Sequence, residues 1–104
     1  MAMPLTTHKR WRLRHGIAVA EVLGLVSERI VPHYAELDDG VELGFEVIDD
    51  RTVLATQRWP SRAARDAVMS GAAFDSWWEA YVPILVRWDE LVELIDEWEA
   101  DVWI

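Results

Sequence analysis

What most limits the fold of this chain is the order in which two periodicities follow one another along it. From His8 to Arg14, Trp11 and Leu13 are separated by Arg10, Arg12 and Arg14, the alternation of a strand with one buried face. Gly16 ends that pattern. Ile17, Val19, Ala20, Leu23, Val26, Ile30 and Tyr34 then recur as the buried stripe of a helix does. Pro32 removes a backbone donor, so the last turn is expected to kink or stop there, with Asp38-Asp39-Gly40 closing it.

Alternation returns in Val41, Leu43, Phe45 and Val47, set between Glu42, Gly44 and Glu46. Asp49-Asp50-Arg51 interrupts with turn-forming residues, and Thr52 to Trp59 resumes in β-branched and aromatic ones, so the two runs read as a hairpin. Ser61 is a ready N-cap for Arg62 to Met69, and Gly71 marks that segment's end. A second helical segment from Ala72 carries Phe74, Trp77, Trp78 and Tyr81 and continues past Pro83 through Ile84, Leu85 and Trp88. From Leu91 the pattern is strand-like again, through Val92, Leu94, Ile95 and Trp98 toward Val102 and Trp103.

Two β-α-β units joined by a hairpin predict an α+β fold of the ferredoxin-like kind, βαββαβ, with helices on one face of an antiparallel sheet. The 104 residues suit one domain spanning 1–104. With strand one beside strand four, the basic row Lys9 to Arg14 faces Glu93, Asp96, Glu97 and Glu99, and opposite charges across strands attract. That pairing explains why Lys9, Arg10, Arg12 and Arg14 precede every acid in a chain of net charge -9. The second sheet face is left bare, so a homodimer is expected.

The same charge repels nucleic acid phosphate. No apolar run approaches the roughly 20 residues of a membrane span, and the start shows no apolar stretch after its positive charges, so no membrane contact and a cytoplasmic location are expected. The absence of cysteine excludes disulfides, thiolate nucleophiles and cysteine-ligated metals. His8, His15 and His33 lack ligand spacing, and the paired aspartates lack that of a calcium loop, so no metal site is expected.

Seven tryptophans invite a pocket. Trp11, Trp88 and Trp98 are expected to fill the core and Trp103 to pack at a dimer edge. Trp59, Phe74, Trp77, Trp78 and Tyr81 cluster at the end of strand three and on the covering helix, where a flat aromatic ligand would stack. Adjacent Trp77 and Trp78 point about 100° apart on a helix, so one is expected to face the partner or solvent. His33 is a candidate general base. Arg58 and Arg65 flank the Trp59 turn, suited to a phenolate oxygen or to pairing with Glu42, Glu46 or Asp66.

Arg12-Leu13-Arg14-His15-Gly16 opening a helix, Glu42-Leu43-Gly44-Phe45-Glu46-Val47, the stretch Val53 to Ala64 with Trp59-Pro60-Ser61-Arg62-Ala63-Ala64, and Ser70-Gly71-Ala72-Ala73-Phe74 together resemble the antibiotic biosynthesis monooxygenase superfamily of dimeric α+β barrels, over nearly the whole chain. The resemblance implies a pocket between helices and sheet in each subunit and an oxygenase that needs no cofactor, acting on an aromatic, phenolic or polyketide-like molecule. In the phenol oxygenases of that family, the tryptophan matched by Trp59 works with an asparagine four residues earlier and a tyrosine six later; here those positions are Ala55 and Arg65. The haem-degrading branch carries a tryptophan and, ten residues on, a histidine where this chain has Ala67 and Trp77, so haem degradation of that type is not expected. The expected catalytic residues are Trp59, Arg65 and His33, with Phe74, Trp77, Trp78, Tyr81 and Arg58 on the substrate. The alternative is a non-catalytic dimeric binding module for a hydrophobic small molecule.

Overall fold

The computed structural model of the chain describes residues 3–37 and 41–101. Its elements follow the order β1 (Leu5–Leu13), α1 (Val19–Leu25), a π-helical turn (Val26–Ile30), α2 (Val31–Tyr34), β2 (Glu42–Asp49), β3 (Thr52–Trp59), α3 (Arg62–Met69), α4 (Ala72–Leu91) and β4 (Val92–Asp101). The strands form one antiparallel sheet in the order β2-β3-β1-β4, with helices on one face, the ferredoxin-like α+β arrangement. The Asp38-Asp39-Gly40 turn and the extension to Val102 and Trp103 lie outside the described residues.

β1 begins earlier than its charged alternation suggests, because Leu5 is fully buried and pairs with both Trp59 and Asp101. Around Pro32 the helix is irregular, and it ends at Tyr34. Val31 donates its amide to the Val26 carbonyl, five residues back. This wider turn directly precedes Pro32, at the place where the proline ring would otherwise meet the carbonyl four residues behind it. Ser61 caps α3 through a 3.0 Å bond from the Ala64 amide to its hydroxyl. Gly71, at φ −85°, serves as the N-cap residue of α4 rather than as a left-handed stop to α3.

The helix-facing side of the sheet carries every second residue: Leu13 on β1, Val53 on β3 and Val92 on β4 are wholly buried. Val22, Val26 and Ile30 from the first helix and Trp77, Tyr81, Ile84, Trp88 and Leu91 from α4 pack on them. Each such aliphatic side chain contributes roughly 1.5–3 kcal/mol by leaving water. On β1 and β4 the charge rows meet as expected, with Lys9–Glu97 at 3.8 Å, Arg10–Asp96 at 2.6 Å and Arg12–Glu93 at 3.9 Å. Glu99 takes different partners, Arg62 and Arg65 of α3, at 2.7 and 2.8 Å. The pairs between β1 and β4 are exposed and set strand register more than stability. No helix among the described residues is long and apolar enough to cross a membrane.

Candidate functional site

The sheet's buried parity is not apolar throughout. Thr7 and Lys9 share the side of β1 on which Trp11 and Leu13 point, and Ala55 and Gln57 share that of Val53 and Trp59 on β3. Where these polar and small residues meet the helices, packing leaves space. A cavity of about 150 Å³ is walled by Trp11, Tyr34, Phe45, Trp78, Tyr81 and Trp88, with Thr7, Lys9, Ala55 and Gln57 among its lining. A second space of about 450 Å³ shares Thr7, Lys9, Tyr34, Gln57 and Trp78 with it and extends to His8, Arg65, Met69, Glu97, Trp98 and Glu99. The first has room for one benzene-sized ring. The second falls within the roughly 300–1,000 Å³ of ordinary ligand pockets.

A hydrogen-bonded line of side chains crosses the boundary between the two. The Trp59 indole donates to Gln57 Oε1 at 3.3 Å, Thr7 Oγ1 donates to the same oxygen at 3.4 Å, and Gln57 Nε2 donates to the Tyr34 hydroxyl at 2.8 Å. Burial pushes the Tyr34 phenol above its ordinary ionisation range, an effect partly offset by the hydroxyl of Tyr81 and the amide of Gln57 turned toward its oxygen. Tyr81 is raised further, by burial first and then by Tyr34. Both phenols are therefore neutral at physiological pH. The Arg62 and Arg65 guanidinium groups hold the Glu99 carboxyl below the usual glutamate value.

The residues expected from sequence are distributed unevenly about this space. Trp78 borders both cavities, Tyr81 the smaller and Arg65 the larger. Trp78 is 46% exposed whereas its neighbour Trp77 is buried, the division expected of adjacent helical residues. Trp77 and Phe74 stack with centroids 5.5 Å apart, behind the cavity wall. Trp59 is 1% exposed and lines neither cavity, reaching them only through Gln57. His33 also lies outside both linings. Its ring stacks against both Trp77 and Tyr81, with centroids at 4.6 and 5.3 Å, and its Nε2 lies 2.9 Å from the Trp77 carbonyl. A carbonyl only accepts, so that nitrogen carries a proton and is engaged. Arg58 is exposed and falls on the opposite parity of β3. Arg65 is paired with Asp66 as well as Glu99. Of the tryptophans expected in the core, Trp88 is buried there and Trp11 packs edge-on against it at 5.5 Å. Trp98 is not in the core: it is 46% exposed and stacks on His8 at 5.1 Å, because His8 and Trp98 are register partners on β1 and β4.

Lys9, Tyr34, Gln57 and Ala55 are the cavity residues that pattern reading did not single out as a site. Their signal was parity: a cation, an amide and an alanine occupy strand positions that otherwise hold Trp11, Leu13, Val53 and Trp59.

No protein-family model and no curated protein matches the sequence. Solved structures do match the fold. SnoaB, a cofactor-independent oxygenase from Streptomyces nogalater, superposes with a TM-score of 0.67 at 16% identity, covering 99% of this chain and 96% of that one. A protein of unknown function from Nitrosomonas europaea superposes with a TM-score of 0.67 at 13% identity, covering 98% and 91%. A candidate antibiotic biosynthesis monooxygenase from Chloroflexus aurantiacus gives 0.57 at 14% identity, covering 96% and 93%. Helix-covered sheet, strand order and neighbours together show that the chain has the fold of the antibiotic biosynthesis monooxygenase superfamily.

Proposed function

We propose that the chain is a cofactor-independent monooxygenase, or a closely related enzyme, that acts on an aromatic, phenolic or polyketide-like molecule held between the sheet and α4. The observation that carries this reading is an aromatic-walled cavity into which a lysine, an amide and a phenol project from otherwise apolar faces. Rings of Trp11, Trp78 and Trp88 supply stacking surface for a flat substrate. Lys9 supplies positive charge where a substrate oxygen would ionise, and its partner Glu97 stands off at 3.8 Å. A deprotonated phenol gives an electron to oxygen without metal or flavin, so the protein's work is to bind, orient and favour the anion while excluding water. Trp78, Tyr81 and Arg65 contact the substrate in this reading, and Trp59 and His33 act from behind the wall.

The test is oxygen uptake in chelator-treated buffer with an anthrone-like phenol. The reading expects catalysed uptake that falls at least tenfold in a Lys9→Met variant; uptake equal to that of buffer refutes the enzyme. A second reading, a binding module without catalysis, is favoured by the lining of the smaller cavity, where Lys9, Tyr34 and Tyr81 are the titratable groups and no carboxylate or imidazole stands ready as base. Saturable quenching of tryptophan fluorescence by the phenol, with no uptake, selects it. In both readings the bare sheet face, with Ile95 and Trp98 exposed, pairs with a second copy. A sedimentation mass of one chain at micromolar concentration would contradict that pairing.

A further inference from the structure

Gln57 is fixed in one orientation. An indole nitrogen can donate but never accept, so the amide atom facing Trp59 must be the oxygen. The Thr7 hydroxyl reinforces that choice from β1. The amide nitrogen is thereby turned to Tyr34, whose oxygen it meets at 2.8 Å as donor. A phenol that receives an N–H still has its own proton to give. The Tyr81 hydroxyl also meets the Tyr34 oxygen, with Tyr81 as the donor, so it does not take the Tyr34 proton; Tyr34 borders both cavities whereas Tyr81 borders only the smaller. Lys9 stands at the same junction.

From this geometry we propose that Tyr34 donates its O–H to the oxygen of a bound phenol or enolisable ketone beside the Lys9 ammonium, and that Gln57, locked by the Trp59 indole, is the positioning residue that aims it. The inference rests on the reading that the cavity holds an aromatic ligand bearing oxygen. No covalent step is involved: Tyr34 keeps its proton, and the hydrogen bond strengthens as the ligand loses its own. Hydrogen bonds to charged oxygens are about twice as strong as those to neutral ones, so the donor favours the anion over the neutral ligand. Trp59 then matters to the chemistry without touching the ligand.

The experiment uses the full chain and 4-nitrophenol, whose phenolate absorbs in the visible, so occupancy and ionisation are read separately. In the wild type the bound dye is expected to ionise at lower pH than the free dye. Tyr34→Phe should raise the apparent pKa of the bound dye by about one unit, the size of one charge-assisted hydrogen bond. Trp59→Phe and Gln57→Leu should each raise it by a smaller amount in the same direction, and Tyr81→Phe should move it least. A thermal melt of each variant establishes that it is folded, and Gln57→Leu tests the same link if Trp59→Phe is not. Dye that binds Tyr34→Phe with unchanged ionisation overturns the proposal, as does a larger shift in Tyr81→Phe. A wild-type protein that binds no dye refutes the ligand reading beneath it, a result distinct from both.

Discussion

Replacing Ala55 by leucine should make the protein more stable and less able to bind. Ala55 sits on the inward parity of β3, in register with Lys9 on one side and Phe45 on the other, and lines the smaller cavity. Leucine adds three carbons there, and at about 0.8 kcal/mol per buried carbon the transfer gain approaches 2.4 kcal/mol. Rotamer restriction and imperfect fit reduce this, and cavity-filling substitutions commonly return about 0.5–2 kcal/mol. For a chain of this size each kcal/mol raises Tm by about 4–8 °C. The assay is a urea titration with a thermal scan, paired with fluorescence titration of an anthrone-like phenol. The expected result is a higher midpoint with affinity weakened at least tenfold. A lower midpoint with unchanged affinity would refute the reasoning, since it would mean that the space is closed in solution and that ligands bind elsewhere.

Two further outcomes follow from the scaffold. Ser61→Ala removes the acceptor for the Ala64 amide and should lower stability by about 1 kcal/mol, read as a shift in the urea midpoint. Glu99 has its folded-state ionisation lowered first by Arg62 and then by Arg65, so its contribution is present above the unfolded glutamate value and is lost as pH falls through the folded one. Thermal scans should therefore separate wild type from Glu99→Gln at pH 7 and bring them together as the pH drops below 4.5; a gap that persists into acid would contradict the assignment.

The fold was legible because its signals are local and redundant. Trp11 and Leu13 against Arg10 and Arg12 fix a strand and its inward face in a few residues, and the acids of β4 then fix the neighbour. Pro32 marked the irregular turn but not its form, because the compensation for it, an amide of Val31 reaching Val26, has no residue type of its own. Trp98 misled: its size argues for burial, but the register of β4 sets it opposite His8. The site was half legible. Trp78 and Tyr81 could be found from the helical cluster, whereas His33 is drawn away by Trp77, far along the chain, and Trp59 is fully buried with its indole turned to Gln57, two residues back on the same strand. Lys9 and Gln57 look like ordinary polar strand residues until their parity is compared with that of Trp11 and Trp59.

The central claim, that an aromatic ligand occupies the junction under α4, is tested most directly by a crystal structure of the protein soaked with an anthrone-like phenol. The account predicts the ring between Trp78 and Ala55, with its oxygen within hydrogen-bond distance of Tyr34 and near Lys9. Density for the phenol on the open sheet face, against Arg10 and Leu54, with the junction under α4 empty, would contradict it.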